Sequence, residues 1–126
     1  MIEVVDTNIL ARMLVGDVKD QKAKAISIFE QAEKGKRKLS IKSVVIAETC
    51  FVLESFYKKN REAIADALKI LLSQKWLIVE ERKILQNTWK WYLKGFHFVD
   101  SYLLASVKIN GEKILSFDKK LMNKVK

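Results

Sequence analysis

The chain has 126 residues, 49% hydrophobic and 31% charged, which suits a single domain over residues 1–126 with an ordinary core. A single cysteine, Cys50, excludes an internal disulfide, and with His97 as the one histidine the usual zinc cages are excluded too. Lys and Arg number 24 against 15 Asp and Glu, and the resulting charge of +9 favours a polyanion such as nucleic acid, although 20 Lys against 4 Arg also fits a merely lysine-rich surface.

Ile2, Glu3, Val4 and Val5 form a short apolar run that stops at Asp6, Thr7 and Asn8, and Ile9, Leu10, Met13 and Leu14 then recur at helical spacing. This predicts strand, turn and helix. After Gly16 and Asp17, Ala25, Ile28, Phe29 and Ala32 mark a second helix ending near Gly35, paired with the first. A short strand is expected over 39–41, and Ser43 is placed to cap an apolar helix running to about Tyr57. From Asn60, Ile64, Ala67, Leu68 and Leu71 make the clearest amphipathic helix.

Residues 76–79 read as a strand and 80–93 as a charged helix ended by Gly95. Asp100 opens a helix through about Ile109, Gly111 turns the chain, and 113–117 read as a last strand before Asp118 and a lysine-rich terminal helix. Strands alternating with helices predict an α/β fold with a mainly parallel sheet. No apolar run approaches the roughly 20 residues that span a bilayer, and Glu3 and Asp6 interrupt the start where a signal peptide carries positive charge. The expectation is a soluble, cytoplasmic protein with no membrane association.

Most acids, among them Glu30, Glu33, Glu62, Asp66, Glu80 and Glu81, fall among lysines or off the apolar stripes and read as solvated. Four do not. Asp6 and Asp118 each follow a short apolar run at the carboxyl edge, where open α/β sheets place ligand sites. Glu48 has Val44, Val45, Phe51 and Val52 as helical neighbours, so its charge emerges from an apolar face and is costly without a partner. Asp100 follows Phe98 and Val99 and precedes Leu103 and Leu104, which turns it inward or toward a cleft. Singly, each has a plainer explanation: Asp100 and Asp118 as helix N-caps, Asp6 as a turn residue, Glu48 as a buried acid paired with Lys or Arg. Together, four carboxylates on one rim repel unless a cation sits among them, and hard oxygen donors select Mg²⁺ or Mn²⁺.

Other chemistries fit less well. There is no G-x-S-x-G elbow, Cys50 lies in an apolar helix, and one histidine cannot form the pair that acid–base RNA cleavage needs. Gly16, Gly35, Gly95 and Gly111 build no phosphate loop, and Asn8 stands where a D-x-D phosphatase carries its second acid.

The residues that remain resemble the PIN-domain family of Mg²⁺-dependent ribonucleases, and within it the VapC-like toxins of toxin–antitoxin pairs. The resemblance rests on Asp6-Thr7-Asn8 after the first strand, Val45-Ile46-Ala47-Glu48, the helix start Asp100-Ser101-Tyr102-Leu103-Leu104-Ala105, and Ser116-Phe117-Asp118, in that order over nearly the whole chain. It implies a three-layer α/β/α domain whose central parallel sheet gathers the four acids. It further implies Asp6 and Asp100 as main metal ligands, Glu48 and Asp118 binding metal directly or through water, Thr7 or Ser116 in support, and Asn8 holding the cluster in shape. RNA as substrate, a cognate antitoxin and a homodimer follow from the same resemblance. The alternatives are an RNA-processing nuclease of the same fold that has no antitoxin, and a non-catalytic RNA-binding module. Lys34, Lys36, Arg37, Lys38 and Lys42, with Lys119, Lys120, Lys124 and Lys126, are candidate backbone contacts or a solvated face. Trp89, Trp91, Phe96 and Phe98 read as core or interface ahead of base stacking.

Overall fold

Three apolar segments, each too short to bury a face alone, pair as parallel strands in a computed structural model that describes residues 1–124. Strand β1 (Ile2–Val4) pairs with β2 (Lys38–Ile41), and β2 with β3 (Ile78–Val79), giving the order β1-β2-β3. The register sets Glu3 opposite Leu39 and Ile41 opposite Val79, and backbone bonds from Val5 to Ser40 and from Glu80 to Ile41 extend the ladders. Parallel pairing demands crossovers, and helices supply them. The expected α/β class with a parallel sheet is therefore what forms, including the short strand near residue 40.

The chain makes two compact units, Met1–Glu80 and Glu81–Lys126. In the first, α1 (Thr7–Val15) packs on α2 (Lys19–Glu33) and on α3 (Ser43–Ser55), and α3 on α4 (Arg61–Leu72). Leu10, Leu39, Ile41, Ile46, Leu53, Ile64, Leu68 and Leu72 are fully buried, and alternation along β2 turns Leu39 and Ile41 to the same face. Asn60 caps α4 as its side chain predicts, its Oδ1 accepting from the Ala63 N–H at 2.8 Å.

Two details depart from the sequence expectation here. Ser43 is not the cap of α3 but its first residue, and its N–H donates to Glu80 Oε1 at 2.9 Å. Glu80, expected to be merely solvated, thus takes an orphan donor of the helix and also lies 3.9 Å from Lys42 Nζ. The side chain that satisfies this helix start comes from the end of β3, 37 residues away in sequence.

The second unit is helical. The expected helix over 80–93 is broken at Thr88 into α5 (Arg82–Asn87) and α6 (Trp89–Tyr92), where the Thr88 hydroxyl donates back to the Ile84 carbonyl. Helix α7 (Phe98–Asn110) ends at Gly111 in the left-handed conformation that glycine tolerates, and α8 spans Lys119–Lys124. Ile84, Trp91, Phe96, Leu104, Ala105 and Leu121 form its core. The strand expected over 113–117 does not form: Ile114 and Ser116 are half-buried, but Leu115 and Phe117 are fully exposed and the backbone joins no ladder. Alternating apolar residues set a strand's faces but provide no pairing partner. Among the described residues no helix is long and apolar enough to cross a membrane.

Candidate metal centre

Asp6 stands just beyond the carboxyl end of β1 as the N-cap of α1, its Oδ1 accepting the Ile9 N–H at 2.9 Å. That capping bond fixes the carboxyl group's orientation and engages one of its two oxygens. Thr7 is buried as the first residue of α1, and its Oγ1 donates to Glu48 Oε1 on α3. Asp6, Thr7 and Glu48 are thus tied together through the packed pair α1 and α3. Asn8, exposed on the first turn of α1, lines a cavity between the same two helices.

The environment of Glu48 differs from the expected one. Its carboxylate is exposed, and so are its apolar neighbours Val44 (73%) and Phe51 (66%). The buried side of α3 is instead Ile46, Thr49, Cys50 and Leu53. An apolar helix in a small unit carries more hydrophobic residues than one face can bury, so apolar neighbours did not imply burial. Among the described residues no Lys or Arg forms an ion pair with Glu48 or Asp6, which removes the explanation of Glu48 as a buried acid matched by a base.

In the second unit, Asp100 is half-buried in the first turn of α7, three residues inside His97, so it is not the N-cap. Beside it Ser101 is buried, its Oγ donating to the His97 carbonyl at 2.9 Å. Asp118 does serve as an N-cap: its Oδ1 accepts from the Lys120 and Leu121 N–H groups at 2.9 and 3.1 Å, and its own N–H donates to Ser116 Oγ at 2.9 Å. Ser116 therefore holds Asp118, although no strand precedes them.

Each unit contributes two of the four acids, and among the described residues no three His, Cys, Asp or Glu side chains are grouped as a metal cage. In donor chemistry the acids of each unit suit Mg²⁺ or Mn²⁺, being carboxylate oxygens, one of them held by the Thr7 hydroxyl, with no thiolate or imidazole. Thr7 would hold one oxygen of Glu48, and the cap bonds of Asp6 and Asp118 would leave each a second oxygen for a cation.

The basic segments divide. Arg37 forms a two-pronged pair with Glu3 (Nε to Oε1 and Nη2 to Oε2, both 2.8 Å), which lowers the Glu3 pKa and raises that of Arg37, and Lys42 pairs with Glu80. Lys34, Lys36 and Lys38 are exposed, as are Lys119, Lys120 and Lys124, with Lys120 Nζ 4.7 Å from the Phe96 ring centre. Lys126 lies outside the described residues. Trp89, Trp91, Phe96 and Phe98 are all buried, as core residues are. The exposed aromatic residues are elsewhere: Phe117 ahead of α8, and Phe51 and Phe56, beside Arg12 and Tyr57 in the cavity that Asn8 lines. The sequence carried one signal for them, the excess of apolar residues on α3.

A family model for the PIN domain matches residues 4–126, and the chain belongs to that family. Among solved structures it is similar to VapC20 of Mycobacterium tuberculosis, described as a sarcin–ricin loop cleaving toxin, at 19% identity and a TM-score of 0.46 over 98% of this chain and 94% of that one. No curated protein gives a significant match.

Proposed function

We propose that this PIN domain is a metal-dependent endoribonuclease, the toxin of a type II toxin–antitoxin pair, with Asp6, Glu48, Asp100 and Asp118 as its Mg²⁺ or Mn²⁺ ligands. The observation that carries the proposal is the family match, which runs through both compact units and includes all four acids. The Thr7–Glu48 hydrogen bond supports it, since it ties the helix carrying Glu48 to the helix that Asp6 caps. The charge of +9 supports RNA as the substrate. In this reading the units act as one domain, the protein works in the cytoplasm as a homodimer, and a cognate antitoxin restrains it.

A bound divalent ion would polarise the scissile phosphate and lower the pKa of an attacking water. The chain's own part is to present the oxygens. Thr7 fixes one oxygen of Glu48, the α1 cap bond orients Asp6, and Ser116 with the α8 cap bonds orients Asp118. Asp100, in the first turn of α7, supplies the remaining carboxylate.

The test is cleavage of a mixed RNA by the purified protein freed of any partner, with Mn²⁺, with chelator, and beside Asp100→Asn. Cleavage that requires the metal and disappears in the variant is expected. The variant should stay folded, with an unchanged or raised melting temperature in the absence of metal if the acids repel one another. Full activity in Asp100→Asn would overturn the assignment, and RNA binding without cleavage under every condition would favour a non-catalytic module.

A further inference from the structure

Between α1 and α3 lies a cavity of about 500 Å³, within the ordinary range for small-ligand sites. It adjoins the first unit's acids: Asn8 follows Asp6 and Thr7 directly, and Phe51 and Ser55 are about one and two helical turns beyond Glu48 on α3. Its wall combines three kinds of group. Phe51 and Phe56 are each about two thirds exposed, which is unusual for residues that normally fill cores. Asn8 carries an amide able to donate and accept on one edge, and Ser55 carries a hydroxyl. Arg12, half-buried, supplies a positive charge that meets no carboxylate at ion-pair distance among the described residues.

These groups are braced. Arg12 donates from Nε to Gln21 Oε1 at 2.7 Å and from Nη1 to the Tyr57 hydroxyl at 2.6 Å, and that hydroxyl donates to Asp17 Oδ1 at 3.4 Å. The Tyr57 ring stands edge-on to Phe56, with centres 5.0 Å apart at 79°. The Phe56 platform is thereby linked to the cation through one tyrosine.

From this we infer that the cavity receives an unpaired nucleobase of the RNA, adjacent to the phosphate held at the acids, with Phe51 and Phe56 as stacking surfaces, Asn8 reading the base edge and Arg12 attracting the neighbouring phosphate. The inference rests on the ribonuclease reading. Exposed aromatic faces beside a cation are the usual means of holding single-stranded nucleic acid, and an amide edge adds hydrogen bonds that an apolar peptide would leave unused. The uncompensated Arg12 favours an anionic occupant for the same reason.

The experiment uses the full chain in chelator, so that binding is read without cleavage. The probe is a short single-stranded oligoribonucleotide carrying 2-aminopurine, followed by fluorescence and anisotropy across a salt series. Binding should quench the fluorophore. Phe51→Ala combined with Phe56→Ala should weaken affinity roughly 5- to 100-fold and relieve the quench with little change in salt slope, since one to three kcal/mol per stacked base is about that ratio. Phe51→Trp should retain the affinity, and Arg12→Met should lower the salt slope by about one phosphate contact. If the alanine variant binds with unchanged affinity and quench, the pocket proposal fails while the ribonuclease reading stands. Unchanged RNA binding with lost self-association would assign the patch to protein contact and overturn the proposal in the same way. Absence of any RNA binding by the unaltered chain would overturn the pocket proposal, while cleavage of RNA in Mn²⁺ decides the ribonuclease reading separately.

Discussion

Replacing Thr7 with valine keeps the branched shape of a buried residue and removes the hydroxyl that donates to Glu48. A hydrogen bond to a charged acceptor contributes about 1.5–3 kcal/mol when shielded from water. Glu48 is exposed and its carboxylate rehydrates, so the loss should fall to about 0.5–1 kcal/mol, or about 2–5 °C in melting temperature at this chain length. The larger effect should be on metal binding. Losing the group that orients a ligand typically costs 10- to 100-fold in affinity, so the Mn²⁺ titration midpoint should rise by that factor while the far-ultraviolet spectrum stays unchanged. Calorimetric titration of the unaltered protein, Thr7→Val, Glu48→Gln and the double variant checks this. In the Glu48→Gln background, Thr7→Val should change metal affinity by less than about 0.5 kcal/mol, because the hydroxyl has lost the carboxylate it orients. An unchanged Mn²⁺ affinity in Thr7→Val, with a clear loss in Glu48→Gln, would refute the idea that Thr7 positions the carboxylate.

Asp6→Asn should keep the α1 cap, since asparagine caps as well as aspartate, and so lose metal-dependent cleavage with little change in melting temperature; Asp6→Ala should lose both, at a stability cost of about 1 kcal/mol. Thermal melts run alongside the cleavage assay separate the two roles. The Cys50 thiol is raised in pKa by burial, with Glu54 adding to the effect, so alkylating reagents should leave it unmodified in the folded state and label it only at the rate of opening. Mass spectrometry of a timed alkylation reads that rate. The pKa of Lys90, whose Nζ lies 4.2 Å from the Trp91 ring centre, is lowered to about 8, chiefly by the neighbouring Lys108, with burial and Lys94 adding to the effect. The unfolded chain keeps that proton up to about pH 10.4. Between those values the unfolded state binds more protons, so this group's contribution to stability should rise with pH, and Lys108→Met should flatten the dependence in denaturant melts.

The parts of the fold that depend on local sequence were legible in it. Periodicity placed α1, α2 and α4 to within a few residues, Asn60 marked a helix start, and Gly111 marked a stop. What the sequence left open was set by partners distant along the chain. Ser43 looks like a cap, but the bond that satisfies the start of α3 comes from Glu80, which looked solvated among charged neighbours. Residues 113–117 alternate as a strand does, yet a strand also needs an edge to pair with. For the candidate site, Asp6 and Asp118 were singled out by where apolar runs stop, and Glu48 and Asp100 by the apolar residues around them. The environment of Glu48 was not, because the neighbours that suggested burial, Val44 and Phe51, are themselves exposed. Arg12, Phe51, Phe56 and Tyr57 carried no motif, and their association depends on how α1 packs against α3.

The bond from Ser43 to Glu80 can form only late in the synthesis of the first unit. A helix start leaves N–H groups without partners, and here one of them is satisfied by a residue that leaves the ribosome 37 positions later. Until Glu80 has emerged and β3 has joined β2, that N–H is left to water. The first unit ends at that same glutamate. The nascent first unit thus gains this contact only as its last residue arrives.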